Sequence, residues 1–202
     1  DVGEVYIYQG RYDDALSNFE QALAIQQELG DRAGEGTSRN DIAVVYLNQG
    51  NIAGASAYFD QSLTILREID NQAEEGIVLA NIGNFQINLG AYDKALETLQ
   101  QALALAQEAG LRRVEGTIIN SIGTVYQYQG NYDEALKQFQ QALLIRREVG
   151  DRVGEGVTLI NIGFVYEAGA RLEEALSAAP SERPRSRPPA RGSRQIVLGA
   201  ML

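Results

Sequence analysis

Between residues 116 and 149 the apolar residues fall into two runs with helical spacing. Ile118, Ile119, Ile122, Val125 and Tyr126 make the first, and Tyr132, Leu136, Phe139, Leu143 and Leu144 the second. Steps of three and four residues put each run on one face of an α-helix and leave polar residues on the other. Between the runs stands Gly130, suited to the left-handed residue that ends a helix. Asn131 follows as an N-cap, with Glu134 three residues on to complete a capping box. Gly30-Asp31 and Gly150-Asp151 punctuate the alternate breaks, Asp again being a good N-cap. Extended along the chain, the pattern predicts helices over residues 1–9, 12–29, 32–49, 52–69, 72–89, 92–109, 112–129, 132–149, 152–169 and 171–178.

The runs themselves repeat with a period of 40 residues. Tyr6, Gly10, Tyr12, Ala15, Leu16, Phe19 and Ala22 return as Tyr46, Gly50, Ala55 and Phe59, then as Gly90, Tyr92, Ala95, Leu96 and Ala102, then as Tyr126, Gly130, Tyr132, Ala135, Phe139 and Ala142. A fixed period of this length marks a solenoid, in which each unit buries its apolar face against its neighbours. The reading is therefore all-α: about five stacked antiparallel helix pairs over residues 1–178, the first and last incomplete. The units are about 1–35, 36–75, 76–115, 116–155 and 156–178.

Comparing the copies separates what serves the fold from what is free to vary. Gly3, Ala43, Gly83, Gly123 and Gly163 stay small, as do Ala15, Ala55, Ala95, Ala135 and Ala175, so two helices can approach closely there while an aromatic fills the space beside them. Gly36, Gly76, Gly116 and Gly156 sit inside helices, where each costs about 1 kcal/mol against Ala. Close packing on the preceding helix is the expected reason. Departures mark weaker places: Ile52-Ala53-Gly54 replaces the usual Tyr-Asp pattern, and Gln86 replaces a Tyr, so looser packing is expected at 46–60 and around 86. The fifth unit loses register after Leu176. Beyond it Pro180, Pro184, Pro188 and Pro189 crowd together with Arg and Ser, which reads as a disordered tail over 179–202. The chain opens at Asp1, within a repeat, and reads as a piece of a longer polypeptide whose uncapped ends should self-associate.

Composition narrows the function classes. Cys and His are both absent, which removes thiolate nucleophiles, His bases, zinc-finger spacing and disulfides together. The carboxylate pairs Asp13-Asp14, Asp133-Glu134 and Glu173-Glu174 are sequence neighbours that point apart on a helix, and all three open a second helix, where they favour the positive end of its dipole. No phosphate loop, activated Ser or metal-ligand cluster is evident, so neither an enzyme nor a cofactor or metal is expected. Residues 1–178 hold 12 Lys and Arg against 26 Asp and Glu, a net of −14, whereas 179–202 hold five Arg and one Glu, a net of +4. So acidic a body should repel phosphate backbones, and no nucleic acid is expected. The terminal apolar run Ile196 to Leu202 falls far short of the roughly 20 residues of a membrane span, so the setting read here is cytoplasmic, without a membrane.

In order and spacing, Gly123, Tyr126, Gly130, Tyr132, Ala135, Phe139 and Ala142 resemble the signature of the tetratricopeptide repeat family. The usual unit there has about 34 residues. Six more, with the NIG-x-VY phrase at Asn161–Tyr166 and GDR at Gly150–Arg152, resemble the longer variant of kinesin light chains, Leu-Gly-Asn polarity adaptors and bacterial multi-repeat proteins. The resemblance implies a right-handed superhelix with a concave groove lined by first helices, and a role in holding other proteins. The core uses one stripe of each first helix, which leaves the opposite stripe to the groove. That stripe carries Asn40 and Val44, then Asn81, Asn84 and Asn88, then Asn120, Thr124 and Tyr128, then Asn161 and Phe164. An Asn amide offers a donor beside an acceptor and so matches the backbone of an extended peptide. Asn84 and Asn120 are expected to touch ligand, Asn81 and Asn161 either ligand or the next helix, and Tyr128 and Phe164 to be apolar anchors. The Lys and Arg with which the family's chaperone-tail binders grip a carboxylate are missing from this stripe. The partner expected is a protein or peptide, bound by an adaptor module; the alternative is a peptide-responsive sensor of a larger bacterial signalling protein.

Overall fold

The computed structural model describes residues 2–178. Nine helices follow one another there: α1 (Val2–Tyr8), α2 (Tyr12–Leu29), α3 (Arg32–Asn48), α4 (Ile52–Glu68), α5 (Gln72–Asn88), α6 (Tyr92–Glu108), α7 (Arg112–Tyr128), α8 (Tyr132–Glu148) and α9 (Arg152–Ala178). The expected tail over 179–202 lies outside the described residues. Turns of three residues join the helices, except for the two-residue turn Gly30-Asp31 between α2 and α3, so each helix doubles back on the one before. One residue of each turn takes a left-handed conformation, with φ between 67° and 76° at Gly10, Gly30, Gly50, Gly90, Gly110, Gly130 and Gly150. Asp70 occupies the same place at φ 54°, a conformation that suits Gly far better than a residue with a Cβ.

One expected turn is not made. The break placed between 169 and 171 is absent, and α9 runs through to Ala178 as one helix. Its register position corresponds to Gly130, but the residue is Ala170, which favours helix continuation where Gly favours a stop. The caps also differ in part from expectation. The side chains of Asp31, Asn51, Asn71 and Asp151 accept from the backbone N–H three residues on, at 3.0–3.2 Å. Asn131 makes no such bond, and Glu134 pairs with Lys137 at 3.4 Å instead of closing a capping box.

Burial runs along the stack rather than around one centre. Ala43, Phe59, Leu66, Val78, Leu99, Ile118 and Val125 belong to a single buried cluster extending from α3 to α7. Small residues set the helix separations. A Cβ at Gly123 would lie 2.7 Å from the Phe139 ring, and one at Gly83 would lie 2.6 Å from Leu99. Three of the glycines nearer the helix starts make the same kind of contact, a Cβ meeting Leu66 at 2.8 Å from Gly36, Leu105 at 3.1 Å from Gly76 and Ile145 at 3.0 Å from Gly116, whereas Gly156 has open space around it. These partners stand on the following helix of the same pair, not on the preceding one as expected, because two antiparallel helices of 17 residues bring the start of the first against the end of the second. At 46–60 the packing is close, with the Tyr46 and Tyr58 rings 5.4 Å apart and Phe59 against Phe85 at 6.3 Å. At Gln86 the looser packing is real: its buried side-chain oxygen has no hydrogen-bond partner, beside a cavity of about 180 Å³ shared with Phe59, Ile82 and Phe85.

Candidate functional site

The first helices α3, α5, α7 and α9 pack directly on one another in succession, whereas the second helices pack chiefly on first helices. The row with the closer mutual spacing is the inner one, so its free faces line the concave side. At the start of this row, α1, α2, α3 and α5 line a pocket of about 350 Å³, formed by Ile7, Tyr8, Phe19, Asn40, Asp41, Val44, Ile77 and Asn81. Three of the expected groove residues, Asn40, Val44 and Asn81, are thus brought to one place.

The amides on this face divide into two kinds. Asn81 donates to the Asn40 carbonyl oxygen at 2.9 Å, and Asn161 donates to that of Asn120 at 3.3 Å. Thr158 also donates to Asn120, at 3.1 Å. Asn40 and Asn120 are buried, at 5% and 9% exposure, so these two pairs tie α3 to α5 and α7 to α9. Asn120, expected to meet ligand, has its acceptor committed to the neighbouring helix. Thr124 returns its hydroxyl to the Asn120 backbone carbonyl at 3.1 Å. Asn84 is half-buried, Asn88 is exposed, and neither forms a side-chain hydrogen bond among the described residues. Tyr128 is 60% exposed and stacks on Tyr92 with centroids 5.6 Å apart. Phe164 lies at the far end of the row on α9, 54% exposed.

Tyr8, prominent in the pocket at 91% exposure, was not anticipated. It occupies the same register position as Asn48, Asn88 and Tyr128, so the repeat itself carried the signal. A second ladder was missed altogether. Glu35, Glu75, Glu115 and Glu155 recur at 40-residue intervals near the start of each first helix. Each accepts from the residue eight positions earlier, at the end of the preceding helix: Gln27, Arg67, Gln107 and Arg147, at 2.7–3.3 Å. Arg32, Arg112 and Arg152 add a second bond to their own unit's Glu, and Arg32 and Arg112 also reach Glu68 and Glu148 at the end of the paired helix. The GDR phrase therefore belongs to a staple between units. Arg39 holds the Glu35 carboxyl below the usual carboxylate range, and Arg147 does the same for Glu155. These carboxylates are engaged structurally and face the unit junctions.

Among the described residues no group of three or more His, Cys, Asp or Glu is placed to hold a metal ion, and no helix is long and apolar enough to cross a membrane. With neutral amides, hydroxyls and aromatic faces along the inner row, the arrangement can hydrogen-bond a backbone and seat side chains.

Family models described as tetratricopeptide repeat match residues 1–68 and 114–179, and a second such model matches 78–113. No curated protein matches the chain by sequence. Several solved structures share its fold. BtubC (BKLC) from P. vanneervenii has a TM-score of 0.70 at 20% identity, over 98% of this chain and 85% of that one. A Podosopora anserina protein of nearly identical TPR-like repeats, described as kinesin light chain-like, gives 0.63 at 18% identity over 87% of each chain. A Rap protein complexed with Competence and Sporulation Factor gives 0.74 at 18% identity, over 87% of this chain and 49% of that one.

Proposed function

This chain belongs to the tetratricopeptide repeat family, a protein-interaction fold, and from that premise we propose that it is an adaptor module whose inner face holds an extended or helical segment of a partner protein. The observation that carries the reading is the uncharged, unspent donors and acceptors of Asn84 and Asn88 on the inner row, between the pocket at Val44 and Ile77 and the stacked rings of Tyr92 and Tyr128. A peptide laid along this row would find backbone partners in the middle and apolar seats on both sides.

The test is to select peptides against the chain and titrate the best one into single variants. Loss of one net hydrogen bond, about 1 kcal/mol, predicts a roughly fivefold weaker affinity for Asn84→Ala with an unchanged Tm. Asn120→Ala should instead lower the Tm of the unliganded protein, because it removes the acceptor shared by Asn161 and Thr158 and so the side-chain tie between α7 and α9. Unchanged affinity in Asn84→Ala and Asn88→Ala together would remove the inner row from the site. A second reading, a peptide-responsive sensor, draws on the shared fold with the Rap protein complexed with Competence and Sporulation Factor. Under it, peptide should compact the solenoid in X-ray scattering, whereas a passive adaptor would keep its dimensions.

A further inference from the structure

Each second helix is joined to the first helix of the next unit by a pair of bulky residues in fixed register. Leu16 and Tyr46 pack on one buried cluster, and Leu96 and Tyr126 on another. At the junction between these two, both bulky residues are exchanged, for Ser56 on α4 and Gln86 on α5. The cavity of about 180 Å³ lies there, lined by Ser56, Phe59, Asp60, Ile82, Phe85 and Gln86. Its floor is apolar, made by the buried rings of Phe59 and Phe85, 6.3 Å apart and tilted by 36°. Its rim is polar, with Ser56 and Asp60 exposed. Among the described residues the side chains of Ser56 and Gln86 make no hydrogen bond, and the Gln86 oxygen is buried without a partner.

Independently of the inner row, none of whose residues lines this cavity, we propose that it is a socket for a tyrosine side chain of a partner protein. Size calls for one ring. An apolar cavity of about 150 Å³ takes up a benzene molecule, so a space of about 180 Å³ holds a ring with its hydroxyl. It is too small for a cofactor, whose sites start at roughly 300 Å³. The repeat itself shows the fit, because Tyr46 and Tyr126 hold the equivalent place at the junctions on either side. Phe59 and Phe85 offer a ring the tilted contacts that aromatic pairs prefer. The Gln86 amide then favours tyrosine over phenylalanine, since a phenol both donates and accepts and the amide does the same. No hydrogen bond holds this amide and its terminal torsion is soft, so its oxygen can turn to meet the incoming O–H without losing a bond. A phenylalanine would leave that oxygen buried and unsatisfied. An arginine would lose more rotamer freedom than a ring with two torsions.

The experiment titrates the full chain, labelled with 15N, with four blocked pentapeptides, Ac-Ser-Ala-X-Ala-Ser-NH2, in which X is tyrosine, phenylalanine, leucine or arginine. Shifts of the amides of Ser56, Asp60, Ile82, Phe85 and Gln86 report the site. Tyrosine should bind about three- to fivefold more tightly than phenylalanine, the worth of one net hydrogen bond, with leucine and arginine weaker still. In Gln86→Leu the advantage of tyrosine should shrink to within about twofold while phenylalanine affinity holds. Gln86→Tyr and Ser56→Leu each restore the residue of the neighbouring junctions and fill the socket from opposite walls, so each should weaken tyrosine binding by about tenfold or more. Melting curves establish that every variant is folded. Phenylalanine or arginine binding as tightly as tyrosine in the parent, or an advantage that survives Gln86→Leu, would overturn the choice of tyrosine. No shift at these amides with the tyrosine peptide, or undiminished binding in either filled variant, would overturn the socket itself.

Discussion

Gln86 shows how much one side chain can concede in a repeat that otherwise keeps its packing. Tyr6, Tyr46, Tyr126 and Tyr166 occupy the equivalent position in the other units. Tyr46 uses it to pack against Tyr58, where burial also pushes its phenol pKa up. Gln86 instead buries an oxygen without a partner beside a cavity of about 180 Å³. An unsatisfied buried polar atom costs about 1–3 kcal/mol, and filling a cavity with a ring recovers dispersion contacts. Gln86→Tyr should therefore stabilise the protein by about 1–2 kcal/mol, read as a higher midpoint in urea with an unchanged slope. An unchanged or lower midpoint would mean that the ring cannot enter the cavity.

At the scale of elements, consecutive helices are matched by a pair of positions 12 residues apart that are polar together or apolar together. Leu66 and Val78, and Ala106 and Ile118, hold these positions at the two inner junctions, and all four lie in one buried cluster, nearly fully buried. At the two outer junctions the pair is polar: the Gln26 amide meets the Ser38 hydroxyl at 2.7 Å, and Arg146 donates to Thr158 at 2.9 Å and to the Gly154 carbonyl. Arg146 is 5% exposed and its Nε makes no hydrogen bond, with Asp151 4.0 Å away, so burial pushes its pKa down against the pull of that carboxylate. The matching predicts strong coupling. Arg146→Leu alone should destabilise by about 1–3 kcal/mol by removing the donor shared by the Thr158 hydroxyl and the Gly154 carbonyl, whereas adding Thr158→Val, the solution used at 66 and 78, should recover part of the loss. Additive effects in the double-mutant cycle would show that the two positions are independent. Much of this level was legible in the sequence, because Gly at each turn and apolar steps within each helix are local signals. Ala170 was not read as helix continuation because the surrounding unit kept its register residues. The groove positions were legible as positions but not as roles: Asn40 and Asn81 sit in adjacent register positions and meet only across two helices, 41 residues apart. Likewise the Glu ladder depends on a residue eight positions back across a turn, a spacing that neither helix periodicity nor the turn reveals.

The whole molecule is a line of units in which each contacts mainly its neighbours, so its cooperativity depends on the junctions. Glu35 spans the first complete junction and Glu155 the last, each buried and each bonded to the end of the preceding helix. Both carboxyls titrate below their ordinary value of 4.5 in the folded chain, chiefly through Arg39 for Glu35 and Arg147 for Glu155. As pH falls from neutrality, the unfolded chain binds protons at these residues first. The stability they contribute is therefore complete above about pH 4.5 and drains away as the pH drops through the lower folded values. Because protonation loosens junctions rather than unit interiors, acid should do more than lower the Tm. The melting transition should broaden as the pH falls below about 4.5 and the end units come apart before the middle ones. Glu35→Gln with Glu155→Gln already lacks both charges at neutral pH. It should melt lower than the parent at pH 7 and change less on acidification, so the two curves of Tm against pH converge once the pH has fallen through the lowered folded values. Parallel curves would show that other carboxylates govern acid lability. A transition that stays equally sharp at every pH would show that the stack unfolds as one body despite its one-dimensional contacts.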